Sequence, residues 1–424
     1  MHLDTYQLAA YLDGALDAST RAATRAHILT CPACAARLDR LRDDARRITS
    51  VSASNPTPDV RAAVRARLHR ASPFTWLARG GAFAGALAAL LLFAVLIGVS
   101  SGGMLGRTPD RLLVVDRNNG RLLAVDASNG AVLNDILVGD TPTKIRYDER
   151  RDRLYILVKQ AILAVDARTL TVVARWEAPQ PFDLTSGMAL DVRRGRLYAA
   201  QPAAASVVVL DISTFTPIDS FGVGSNPSAL VLAPDGSRLF ALDGDGMLWT
   251  IDPMSGTKSA QSLSGGERWP LAWLALSSDG QTLYVLHADG DLRTSTPKLW
   301  RIDVRSGGIS GPIVLPTGED PWDLLRLDDG HLAIPRGDGT KGGITIVETD
   351  SFRVTIRINP ASDEHHAVAG PGGSMFTLNF GHGTVTRYDL SRAQPITWQV
   401  VVPGAQPPQP YDGVFVPGGW RWPW

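Results

Sequence analysis

One pattern recurs seven times between residues 111 and 389. A short apolar run comes first: RLLVVD at 111, RLYILV at 153, RLYAAQ at 196, RLFALD at 238, TLYVLH at 282, HLAIPR at 331 and MFTLNF at 375. A second run follows each time, ending in an acid and a turn. The acids are Asp126, Asp166, Asp211, Asp252, Asp303, Glu348 and Asp389, spaced 40, 45, 41, 51, 45 and 41 residues apart. An Asp at that place can close the hairpin by accepting a hydrogen bond from its own backbone two residues on. Segments such as GDTP, GSNP and GEDP, then a strand ending APDG, SSDG, LDDG or GPGG, complete each unit. The unit is therefore four short strands. One such sheet cannot bury both of its faces, whereas a ring of them can. A period of 40–50 residues built on four strands is the signature of a β-propeller, and seven units predict seven blades over 108–419.

Ring closure is also readable. The chain enters at RLLVVD, which in later units follows a strand like PSALVLAPDGS, and it leaves through PYDGVFVPGGW at 410–420. Val414–Pro417 should supply the missing innermost strand of the first blade, removing the two exposed edges of an open ring. The repeated wording resembles the YVTN family of seven-bladed propellers, and the resemblance covers about residues 108–419. The tail at 420–424 carries Trp420, Trp422 and Trp424. It reads either as an interfacial anchor or as a frayed end.

Residues 80–99, GGAFAGALAALLLFAVLIGV, hold no charge. Twenty residues at 1.5 Å each span roughly the 30 Å hydrocarbon core of a bilayer, so 80–100 is expected to be a single transmembrane helix. Its internal position and full length argue against a secretory signal peptide. The flank at 59–79 has Arg61, Arg65, Arg67, Arg70 and Arg79 against Asp59, while 100–111 has Arg107 and Arg111 with Asp110. The basic side faces the cytoplasm, which places the N-terminus inside and the propeller outside, in a single-pass protein of the cytoplasmic membrane. The linker and basic helix at 51–79 could grip a partner, lie on anionic lipid or simply be solvated. Overall charge is zero, with 42 basic and 42 acidic residues, and no direct nucleic-acid binding is expected.

Cys31 and Cys34 are the chain's only two cysteines. In a reducing compartment a close pair points to a metal site or a redox centre more than to a structural disulfide. Asp17 can cap a helix running through ASTRAATRAHILT. Pro32 turns Cys31 out of helical geometry and starts the next helix, on which Leu38, Leu41, Ala45 and Ile48 share a stripe. His27 then lies one turn from Cys31, and Cys34 folds back beside both in the first turn of the new helix. A thiolate is favoured there, and thiolates are what zinc takes. A closed tetrahedral site needs a fourth ligand, and His2 is the other histidine within reach.

The stretch AYLDGALDASTRAATRAHILTCPACAARLDRLR resembles the zinc-binding anti-sigma factor domain, a zinc finger of the His-Cys-Cys type. The shared features are H-x3-C-x2-C at His27, Cys31 and Cys34, the YLDGAL turn at 11–16 and an upstream ligand, here His2. The resemblance covers about residues 2–50. It implies one structural Zn2+ and a cytosolic domain, 1–50, that sequesters an extracytoplasmic-function sigma factor. The expected chain is thus multidomain: a small all-α zinc-binding domain, one transmembrane helix and an all-β seven-bladed propeller that senses or binds something outside. The alternative is a cell-surface propeller acting as a binding scaffold or enzyme, with the zinc domain only an anchor.

No catalytic motif stands out; G-x-S-x-G, H-E-x-x-H and a phosphate loop are all missing, so enzyme activity is not expected. Asp243-Gly244-Asp245-Gly246 looks like a calcium-loop fragment but sits where other repeats have hairpin tips. Glu364, His365, His366 and His382 could meet near one blade and bind a metal, but read more readily as solvated loop residues.

Overall fold

The computed structural model describes residues 21, 23, 24, 27, 28, 31, 34, 35 and 38 of the N-terminal segment. It also describes residues 108–418 apart from 264, 266, 267, 270, 289–295, 316–320, 328–329, 338–341, 359–363, 390–395 and 400–407. His2, the stretch 51–79, the apolar run 80–100 and the tail 420–424 lie outside the described residues. Among the described residues no helix is long and apolar enough to cross a membrane. The chain divides into two compact units, Met1–Ser101 and Gly102–Trp424.

In the second unit, the described residues form 28 strands, numbered β1–β28 along the chain, in seven four-stranded antiparallel sheets. Each of the seven repeats supplies the two middle strands of one sheet. The innermost strands are β4 (Lys144–Asp148), β8 (Met188–Asp191), β12 (Ala229–Leu232), β16 (Leu271–Leu276), β20 (Leu325–Arg326), β24 (His366–Ala369) and β28 (Pro410–Val416). Each touches the next, and β28 touches both β24 and β4, so the ring of inner strands closes on itself. This is a seven-bladed β-propeller.

Closure runs through the strand expected from the repeat register, and it is longer than expected. β28 pairs with β1 (Arg111–Asp116) along its whole length, with Val416 opposite Arg111 and Val414 opposite Leu113. Beyond the strands, the Gly418 amide donates to Asp110 Oδ1 at 2.7 Å and the Arg117 amide to the Gln409 carbonyl at 3.0 Å. The two ends of the repeat array are thereby hydrogen-bonded into one blade.

The run RLLVVD shows why the repeats are continuously apolar instead of alternating. Leu113 and Val115 join the cluster shared with the second blade, around Ile145, Leu154 and Ile156. Leu112 and Val114 point the other way, into the cluster shared with the seventh blade, around Phe376 and Leu378. Successive strand residues face opposite sides of a sheet, and here both sides are core. The same division recurs between every pair of neighbouring blades, giving seven interblade clusters. The outermost strands have only one neighbour and are mostly exposed, as in β11 (Thr216–Gly222).

Candidate metal centre

In the first unit, His27 and Ile28 are helical, Cys31 is not, and Cys34 and Ala35 are helical again. The Cys31 amide donates to the His27 carbonyl at 2.9 Å, the last turn of one helix. The Cys31 carbonyl in turn accepts the Ala35 amide at 3.1 Å, the first turn of the next. Cys31 therefore ends one helix and opens another. The following proline accounts for the break, because proline disfavours helical geometry at the residue before it.

This junction brings three donors together. The ligand atoms of His27, Cys31 and Cys34 all lie within 4.8 Å of one another. Tetrahedral zinc, with bonds of about 2.0–2.3 Å, needs ligands only slightly closer than that. Cys34 is fully buried, Cys31 and His27 half-buried, and neither thiol is in a disulfide. Cys34 sits in the first turn of its helix, where the unsatisfied amides favour a thiolate. Leu38, one turn further on, and Thr24, before His27, are buried and frame the site. The donor set and its spacing are compatible with a metal ion. Its expected fourth ligand, His2, lies outside the described residues.

Among the described residues, no other set of His, Cys, Asp and Glu converges in this way. The Asp243–Gly246 segment is a hairpin tip, as expected. Asp243 Oδ1 accepts the amides of Asp245 and Met247, and Oδ2 accepts the Trp249 indole N–H at 2.9 Å, so the carboxylate is committed to its turn. The expectation for the histidine group needs correcting. Only His382 is exposed, while Glu364, His365 and His366 are buried. His366 is the first residue of β24, the innermost strand of the seventh blade, and Glu364 and His365 lie just before it, where neighbouring blades cover them. His365 stacks between Trp322 and Phe380, with ring centroids 4.5 and 4.9 Å away, and His366 packs on Tyr411 at 4.4 Å. Glu364 accepts the Tyr388 hydroxyl at 2.9 Å.

Residues 5–35 match a family described as "Putative zinc-finger". The matched span contains His27, Cys31 and Cys34. No curated protein matches the chain. Solved structures match over the propeller. A hydrazine synthase chain from Kuenenia stuttgartiensis is 20% identical with a TM-score of 0.52, covering 59% of this chain and 77% of that one. A catalytically inactive virginiamycin B lyase from Staphylococcus aureus with quinupristin is 14% identical with a TM-score of 0.51, covering 69% and 90%. A functionally unknown protein from Desulfotomaculum acetoxidans is 10% identical with a TM-score of 0.54, covering 66% and 93%. At these identities the likeness is one of fold alone.

The repeat pattern does not reveal the polar groups that line the propeller axis. Lys144 and Arg146 on β4, Asp323 just before β20, and Asp412 on β28 come from three different blades. Asp412 Oδ2 accepts the Ile145 amide at 3.0 Å and lies 3.2 Å from Arg146 Nη1. Asp323 Oδ1 accepts the Leu324 amide at 2.8 Å, Oδ2 accepts the Ala367 amide at 3.2 Å, and Oδ2 lies 3.7 Å from His366 Nδ1. Burial works against the Asp323 carboxylate, yet His366, Lys144 and the Ala367 amide together hold its pKa below the ordinary value. Burial, with the charge of Lys144, pushes His366 below its ordinary value and keeps the ring neutral at pH 7. These side chains look unremarkable in a single repeat and become neighbours only when the ring closes.

Proposed function

We propose that this protein is a membrane-bound anti-sigma factor. A zinc finger at 1–50 holds an extracytoplasmic-function sigma factor on the cytosolic side, and the propeller outside is the sensing or binding module. The observation that carries the reading is the convergence of His27, Cys31 and Cys34 on a helix–turn–helix junction, inside the span that matches the zinc-finger family. The matched finger is of the anti-sigma factor type. A zinc ion held by His27, Cys31 and Cys34, with His2 as fourth ligand, would fix the angle between the two helices, and small domains with little core often depend on such an ion. The charge-free run 80–99 supports a membrane helix, and the arginines on its N-terminal side support a cytosolic finger.

The test is affinity purification of the full-length chain from native membranes. A sigma factor should be retained with it, and the double substitution Cys31→Ser with Cys34→Ser should abolish that retention while the protein stays in the membrane fraction. A preparation that never retains a sigma factor overturns the regulatory role.

A further inference from the structure

At one end of the propeller axis lies a cavity of about 280 Å³ built by the inner strands and their approaches in several blades. Its walls are largely aromatic: Trp273 on β16, Trp322 just before β20, His366 on β24 and Tyr411 on β28. Lys144 on β4 is the one ionised side chain that lines it. Its ammonium sits 5.8 Å from the centre of the Tyr411 ring, and no carboxylate of the described residues forms an ion pair with it.

The charged groups nearby are already committed. Asp412 and Arg146 face each other at 3.2 Å, and Asp323 takes two backbone amides and faces His366 Nδ1. Both carboxylates line the adjoining stretch of the channel and not this cavity, while Lys144 lies at the boundary and lines both. His366 is neutral at pH 7, for the reasons given above, and contributes a flat face without a charge. Tyr411 is likewise uncharged, since burial pushes its hydroxyl up to about 12. What remains is a small space with flat apolar walls and one half-buried cation that makes no direct ion pair among the described residues, although its charge is felt by Asp323. Binding pockets have this composition, an apolar lining with a few placed polar groups that fix orientation.

We infer that this end of the channel binds a small, flat, mostly apolar acid, with its anionic oxygens on Lys144 and its body between Trp273, Trp322 and Tyr411. A cavity of about 280 Å³ admits one or two fused rings and excludes a peptide or an oligosaccharide. The inference concerns the propeller alone and does not depend on the zinc finger or on a sigma factor.

Equilibrium dialysis of the purified full-length chain against 2-naphthoate tests it, with the uncharged 2-naphthamide as comparison. One saturable site per chain is expected for the acid. A hydrogen bond to a charged group contributes about 1.5–3 kcal/mol, so the amide should bind about tenfold more weakly or worse. Lys144→Met should bring the acid down to the level of the amide, and Lys144→Arg should retain most of the affinity. Lys144 is half exposed, so both variants should keep the thermal midpoint of the parent. The inference is overturned if 2-naphthoate shows no saturable binding, if the amide binds as well as the acid, or if Lys144→Met leaves the affinity for the acid unchanged.

Discussion

Asp126, Asp166, Asp211, Asp252 and Asp303 each accept the amide of the residue two positions on, at 2.7–3.1 Å. The acid at the end of the second run is therefore a turn device, as its place in the sequence suggested. Glu348, one methylene longer, accepts the Ser351 hydroxyl at 2.6 Å. The Ser128 hydroxyl on Asp126, the Ser213 hydroxyl on Asp211, the Met254 amide on Asp252 and the Ser306 amide on Asp303 hold these carboxyls below the ordinary 3.8. A carboxyl whose pKa is lowered on folding stabilises the fold above its unfolded value and loses that contribution as pH falls through the folded one. The thermal midpoint of the propeller should therefore drop between about pH 5 and pH 3. Asp211→Asn, which keeps the acceptor oxygen without the charge, should make that drop shallower in a melting series across pH. A less visible device is the arginine that opens several repeats. Arg111 donates to the Ala167 carbonyl, Arg196 to that of Pro253 and Arg238 to that of Val304, each one blade further on. The sequence shows the arginine, but its acceptor is 56–66 residues away and appears only in the fold.

At the scale of elements, the strands were legible because both faces of every middle strand are core, which writes long apolar runs into the chain. The inner strands were harder to read, being short and partly polar, and they meet near the axis only after closure. Gly187 shows how tight that meeting is. Its amide donates to the Ser228 carbonyl of the next blade, and a Cβ built there would lie 2.4 Å from that oxygen and 2.7 Å from the Leu230 nitrogen. Gly187→Ala should therefore destabilise the propeller by about 1–3 kcal/mol, the usual result of overpacking, measured as a lower denaturation midpoint. β28 makes the corresponding case for closure. Removing residues 410–424 strips Tyr411 and Val416 from the first interblade cluster and leaves β1 with an unpaired edge. The truncated chain should lose its cooperative thermal transition and aggregate, as followed by circular dichroism and light scattering. An unchanged midpoint would show that the ring does not need this strand.

On the scale of the whole molecule, three segments with different physical demands follow one another along the chain. The finger is too small to rely on a large core and gathers three metal-type donors instead. The charge-free run 80–99 has the length of a membrane span, and the propeller carries its core between blades. The propeller could be read from the sequence because it is dictated by a period of 40–51 residues, whereas the run 80–99 lies outside the described residues. The metal donors were legible from spacing, since Pro32 between the two cysteines sets the helix junction that gathers them. The channel end was not legible, because its residues come from six blades and no local spacing links Lys144 to Tyr411. The most direct test of the account is the metal content of the purified full-length chain, by elemental analysis. One zinc per chain, lost in the Cys31→Ser with Cys34→Ser variant, is the predicted result; a folded chain that retains a sigma factor yet carries no metal would contradict it.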